Sequence, residues 1–306
     1  MIEFENFFRH SLVIGSILLS IQICYSQEKQ PATNSTSYGK ASINYLTNYI
    51  YTGRKDSLAY PYITPVIGYY DKGGFYITGS LSYLSSKTGK RVDMFAIDLG
   101  YDFSITEKFT GSIYGNKSFY NQSSSAITND MTGSLGNTLS YDLGLFQLNT
   151  GADIYFSSKP DFALNFGLSH QFIIGPENQQ WTIAPSALVN LSTLHYYEGF
   201  TNKRMGRPGQ IIPNTSSVSS STTVNKPGFT LLDYEINIPI FYEAKTWGFS
   251  TSFTFALPKN PIYTTTVNTI KFNNGTQLVQ TIDSTPYSEM NLQNTFFAEL
   301  GVYFKF

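Results

Sequence analysis

The sequence predicts an all-β chain, an antiparallel, up-and-down transmembrane β-barrel of about twelve strands. Three observations predict it. Segments of about ten residues alternate bulky apolar and small polar side chains from Lys40 to Phe306. Tight turns alternate with longer polar connections between those segments. Charged residues make up 13% of the chain and aromatics 16%, whereas a soluble domain averages about 25% charged.

The alternation is cleanest at the end of the chain. Phe296, Ala298, Leu300, Val302, Phe304 and Phe306 share one parity; Phe297, Glu299, Gly301, Tyr303 and Lys305 share the other. In a strand these two sets point to opposite faces. The same pattern runs through Phe95–Phe103, Phe162–Leu168 and Trp247–Leu257. Residue size then decides which face looks outward. A soluble barrel would have to hold every Phe, Tyr and Leu inside and leave Gly, Ser and Ala to the solvent. A membrane barrel turns the bulky set to lipid and lines its interior with the small polar one. The mean hydropathy of −0.15 fits such half-greasy strands and is far from that of a helical membrane protein.

In order, the predicted strands cover 41–51, 60–70, 75–84, 92–104, 109–120 and 131–141, then 145–156, 161–174, 181–193, 229–243, 247–258 and 295–306. The second, fourth, sixth, eighth and tenth connections are tight, beginning with Asp71-Lys72-Gly73-Gly74. Most of the others are longer, and two, about 194–228 and 259–294, are very long. Tight turns on the periplasmic side and long loops outside are what an outer-membrane barrel uses. Pro65, Pro185 and Pro239 fall within predicted strands, where the missing N–H removes a ladder bond. Pro65 and Pro185 are expected to mark bulges or late strand starts.

The beginning of the chain reads as an export signal. Arg9 and His10 precede the apolar run Leu12–Ile21, too short to span a bilayer as a helix, and cleavage is expected after Ser26. Residues 27–39 form a short polar periplasmic leader, and 40–306 the barrel. Processing would remove the single Cys, Cys24, so the mature chain has no thiol chemistry. Taking Arg9 from the 20 basic residues and Glu3 and Glu5 from the 21 acidic ones leaves 19 of each. A neutral chain gives no argument for nucleic acid.

The last segment, Phe296-Phe297-Ala298-Glu299-Leu300-Gly301-Val302-Tyr303-Phe304-Lys305-Phe306, resembles the terminal strand of Gram-negative outer-membrane β-barrel proteins. Those strands end in an aromatic, with further aromatics at alternate positions. The resemblance implies that Phe304 and Phe306 act as an assembly signal read by the barrel-assembly machinery. It also implies residence in the cell outer membrane, reached through the periplasm, among its lipid and lipopolysaccharide. It names no solute.

On the interior parity the sequence collects Asp98, Asp102, Asp153, Asp233, Glu235 and Glu299, with Lys305 near the periplasmic rim. Ionised carboxylates in a wet lumen favour cations; in a closed lumen they would instead hydrogen-bond Tyr, Ser and Asn groups and plug it. Trp181 and Trp247 open strands directly after tight turns and are expected to anchor at the membrane interface, with Tyr45, Tyr49, Tyr62, Tyr69, Tyr83 and Tyr101 at other strand ends. Of the three His, His170 and His195 follow the signal peptide. Ser169 and His170 are neighbours and face opposite ways in a strand, so they form no dyad. Two His without Cys make a poor metal site, and no cofactor is expected. Lys203, Arg204 and Arg207 either bind lipopolysaccharide phosphates or are solvated loop charge. The Ser/Thr tract 214–223 reads as low-complexity, mobile loop. The expected function is a narrow diffusion channel for small polar or cationic solutes. The alternative is a closed structural or adhesion barrel meeting a surface partner through its long loops; a hydrolase comes third.

Overall fold

The computed structural model describes residues 36–54, 59–86, 89–124, 126, 128–176, 178–198, 215–225, 228–284 and 293–306. The expected signal peptide, the expected leader up to residue 35, and the basic trio Lys203, Arg204 and Arg207 lie outside the described residues.

Seventeen strands are present among the described residues. Running from the chain start they are β1 Tyr38–Leu46, β2 Tyr62–Tyr70, β3 Phe75–Ser86, β4 Gly89–Thr106, β5 Phe109–Tyr120, β6 Gly133–Asp142 and β7 Gln147–Phe156. They continue as β8 Asp161–Ser169, β9 Phe172–Ile174, β10 Gln179–Ile183, β11 Ser186–Ser192, β12 Thr215–Val224 and β13 Thr230–Ala244, and end with β14 Trp247–Pro258, β15 Thr264–Phe272, β16 Gln277–Ser284 and β17 Thr295–Lys305. Each barrel strand pairs antiparallel with its neighbour, and β1 pairs with β17 to close the ring. β8 with β9, and β10 with β11, are two staves each broken once. The barrel therefore has 12 staves, in the order the alternation predicts.

The breaks have a local cause. Pro185 has no N–H to give, and its carbonyl instead accepts from His170 N at 3.1 Å. On the other side, β13 pairs with β11 up to Asn237 and with β10 from Ile240 onward. Between these spans Ala184 N donates to Pro239 O at 3.0 Å. Pro65 stays within β2, where the pairing with β3 skips from Ile63 to Val66.

Around the ring the two parities face opposite ways. Ile43, Ile67, Leu99, Ile113, Phe166 and Val302 are exposed on the outside, while Ser80, Asp98, Thr138, Asn165 and Asn237 are buried inside. Ile67 is 63% exposed, a wasteful position for isoleucine in water and an ordinary one in lipid. This continuous apolar belt makes the chain an outer-membrane-type β-barrel. Tyr45, Tyr69, Tyr101, Trp181 and Trp247 belong to the outer surface, but Tyr49 and Tyr62 do not: both are buried. Tyr49 is buried because β1 ends at Leu46, short of the expected 51, and the chain from Thr47 folds inward over the lumen; Tyr62 is buried because it shares the inward parity of Val66 and Tyr70 on β2.

The two long loops also depart from expectation. The Ser/Thr tract becomes β12, which pairs with β15, and β15 with β16, in a separate three-stranded sheet. Two loops thus share one sheet at the long-loop end. The β15–β16 hairpin turns at Asn274-Gly275, a local signal that the predicted strands leave out, whereas β12 takes its partner from the other loop and nothing within its own loop announces the pairing.

Candidate functional site

The lumen is built on a simple contrast between glycine and tyrosine. A Cβ placed on Gly100 or Gly248 would overlap the ring of Tyr76 or Tyr303, which lies across the neighbouring strand. Tyr114 does the same over Gly136. Tyr70 stacks on Tyr76 with centroids 6.0 Å apart, and Tyr38 on Tyr70 at 5.1 Å. The tight-turn half of the lumen is therefore filled by rings whose hydroxyls need partners.

The six interior carboxylates supply some of those partners, and all six are buried. Asp153 accepts from Tyr114 Oη at 2.7 Å. Asp98 accepts from Asn116 Nδ2 at 2.6 Å and from Thr78 Oγ1 at 3.2 Å. Asp233 accepts from Asn190 Nδ2 at 2.8 Å, and Glu235 follows it on the same face of β13. Asp102 is inside as well, near Tyr76. Two of the six, Glu235 and Glu299, have no hydrogen-bond partner on either carboxylate oxygen, and Glu235 has Asp233 beside it. Glu299 is 2% exposed and stands opposite Leu46 on β1 and Ser252 on β14.

Basic side chains on the inner face sit only at the ends among the described residues. At the tight-turn end, Lys40 Nζ stands 3.7 Å over the Tyr303 ring and Lys305 pairs with Glu243. At the long-loop end are Arg91, paired with Asp93 at 2.7 Å, and Arg54. Between these ends the inner face carries carboxylates, and no basic side chain of the described residues is placed there. Alternation alone located these acids; their hydrogen-bond partners come from neighbouring strands and could not be read from one strand's sequence.

The long-loop end is covered. Tyr49 and Ile50, from the segment that follows β1, join Tyr62, Leu84, Met94 and Phe297 in an apolar cluster inside the mouth. Tyr49 Oη hydrogen-bonds Thr128 Oγ1 on the connection between β5 and β6. That connection is tied down by Asp93, which accepts from Ser124 Oγ at 2.7 Å and Tyr62 Oη at 2.6 Å. A helical turn at 195–198 begins on the Asp161 carboxylate, which accepts from His195 N at 2.8 Å and Tyr196 N at 2.6 Å as a capping acid does. Burial pushes the Tyr196 phenol up to about 12. Glu198 in the same turn pairs with Lys159 at 2.7 Å and accepts from Val224 N at 2.8 Å, which ties β12 down to the barrel rim.

Trp181 and Trp247 lie on the outside at the tight-turn end, on either side of Tyr242, at 4.9 and 5.3 Å between ring centroids. Phe304 and Phe306 also face outward. His170 packs edge-on against Phe172 at 4.5 Å and contacts Leu145 O through its Nδ1. Among the described residues no group of three or more His, Cys, Asp and Glu side chains could hold a metal.

No family model matches the chain. No curated protein matches it in sequence. Among solved structures it is similar to KdgM porin in complex with disordered oligogalacturonate, at 9% identity and a TM-score of 0.43, over 87% of this chain and 99% of that one. It is similar to a bacterial polysaccharide outer membrane secretin at 10% identity and 0.38, over 88% and 98%. Salmonella typhi OmpF, in complex with daunomycin, gives 10% and 0.31, over 88% and 97%. These values go no further than a shared kind of barrel, and the strand pairing itself carries the fold.

Proposed function

We propose that the chain is a narrow outer-membrane channel for small polar or cationic solutes, with its tight turns in the periplasm and its long loops outside the cell. The observation that carries this reading is Glu299, a lumen carboxylate buried without a hydrogen-bond partner. A filler needs no such group. An unsatisfied buried polar atom costs about 1–3 kcal/mol and a charge more, whereas Leu or Gln would fill the same space. Five more carboxylates share the same inner surface, with Asp233 nearest to Arg54 at the mouth, and together they give a band that favours a passing cation. In the conformation described here the mouth is covered, so conduction requires the inward segment after β1 to move.

The test is the reversal potential across a bilayer holding the refolded protein under a salt gradient. Wild type should prefer cations, and Glu299→Gln with Asp98→Asn should lower that preference. An unchanged or anion-leaning potential in both proteins would remove the reading.

A second reading is favoured by a different observation, the sheet of β12, β15 and β16. Its base is packed on the rim through Val224, and it presents Val218, Leu278, Val279 and Ile282 to solvent. A closed barrel serving adhesion would act through this sheet. Deleting it should then abolish surface binding, and the barrel should be silent in a bilayer.

A further inference from the structure

Arg54 is the largest fully buried side chain among the described residues, and it lies on a turn across the long-loop mouth. Tyr51 and Arg54 exchange backbone hydrogen bonds of 3.0 and 2.9 Å, and the residues between them, Thr52 and Gly53, both have positive φ, 46° and 73°. Two central residues of that kind make a tight primed turn. The guanidinium leaves this turn and enters a cradle of main-chain carbonyls. Nη1 donates to Thr52 O at 2.9 Å and Leu232 O at 3.2 Å; Nη2 donates to Lys259 O at 2.8 Å and Asn260 O at 3.1 Å. Asn260 has a left-handed backbone, φ 53°. Asp233 lies beneath the turn: a Cβ on Gly53 would come 3.0 Å from its Oδ2.

Three of those carbonyls belong to the barrel and its loop, and only Thr52 O belongs to the turn. Without Arg54, Leu232 O, Lys259 O and Asn260 O would still converge over Asp233, two residues before Glu235 on the inner face of β13. Converging carbonyls backed by a carboxylate are a cation site. We infer that this cradle is the outer cation-binding station of the channel, taking guanidinium or ammonium groups, and that Arg54 occupies it as a tethered competitor which keeps the mouth shut. This inference rests on the channel reading. The buried Nε without a partner fits an occupant that can leave: the cradle holds the guanidinium through four neutral acceptors.

Arg54→Ala tests it in the planar bilayer. The variant should open about tenfold more often than wild type, a coupling within the usual range for two linked states. Guanidinium chloride added on the long-loop side should block the variant at lower concentration than wild type, where Arg54 competes for the same station. A second protein, Tyr51→Cys with Tyr196→Cys, places two thiols where the rings now meet edge to face and keeps Arg54; thiol titration confirms that the disulfide has formed. Oxidised, it should stay shut; reduced, it should regain wild-type openings. Equal opening in wild type and Arg54→Ala, equal guanidinium block of both, or full conduction by the oxidised pair would overturn the inference and leave the channel reading standing. Silence of all three folded proteins, reduced and oxidised, would remove both.

Discussion

Tyr114 donates a hydrogen bond to Asp153 across an intervening strand, and it can do so because Gly136 lies between them. The ring starts on β5, passes over Gly136 on β6 and ends 2.7 Å from the carboxylate on β7. A Cβ at position 136 would meet both the ring and Asp153 Oδ1. Three strands are thereby fixed in register by one side chain.

Changing the donor and changing the glycine beneath it should have unequal effects. Tyr114→Phe leaves one buried carboxylate oxygen without its donor and should cost about 1–3 kcal/mol. Gly136→Ala both displaces the ring and breaks the bond, and overpacking alone adds about 1–3 kcal/mol. Urea unfolding in lipid should rank Gly136→Ala below Tyr114→Phe. A stable Gly136→Ala barrel would mean that the tyrosine reaches Asp153 by another route.

The first tight turn should open in acid. Asp71 accepts from Gly73 N at 2.6 Å and from Ser37 Oγ at 3.0 Å, and these bonds, the backbone one foremost, hold its carboxyl below the ordinary 3.8. A depressed carboxyl contributes stability that is present above 3.8 and lost as pH falls through its lower folded value. Amide exchange at Gly73, corrected for its intrinsic rate, should lose protection in that window. Asp71→Asn should make the protection independent of pH there. Protection unchanged below the ordinary carboxylate range would deny the bond its role.

Trp181 and Trp247 are the chain's two tryptophans, so fluorescence reads them alone. Both are partly exposed on the outer wall beside Tyr242. As interfacial anchors they should be quenched more by lipids brominated near the headgroup than by lipids brominated at the chain end. Stronger quenching from the chain end would place that rim in the bilayer centre and shift the whole membrane position.

The outer sheet gives a prediction about loops distant in sequence. Thr222 on β12 and Thr266 on β15 are paired, with Oγ1 atoms 2.9 Å apart. Cysteines at both positions should oxidise to one another and shift the unboiled gel mobility. Free thiols after mild oxidation would show that the two loops do not share a sheet.

What could be read from the chain itself follows from the range of each interaction. Strand positions were legible because alternation is local: β14 runs Trp247–Pro258 as expected, and β17 runs Thr295–Lys305. The interior carboxylates were legible for the same reason, since parity fixes the face. Pro185 announced its break because a missing N–H is a property of one residue. The inward fold of Tyr49 and Ile50 was hidden, because an apolar run continuing β1 looks like more strand until the mouth needs filling. The sheet formed by 215–224 was hidden more deeply, since its partner lies some forty residues away in the other loop. Arg54 gave no signal, because a cradle of backbone carbonyls has no residue signature.

The most direct test of the channel account is single-channel recording of the refolded mature protein in a planar bilayer. The account predicts discrete conductance steps with a cation preference that falls when Asp98 and Asp102 are changed to Asn. A silent bilayer from demonstrably folded wild type and Arg54→Ala would contradict it, and the function would then belong to the outer sheet.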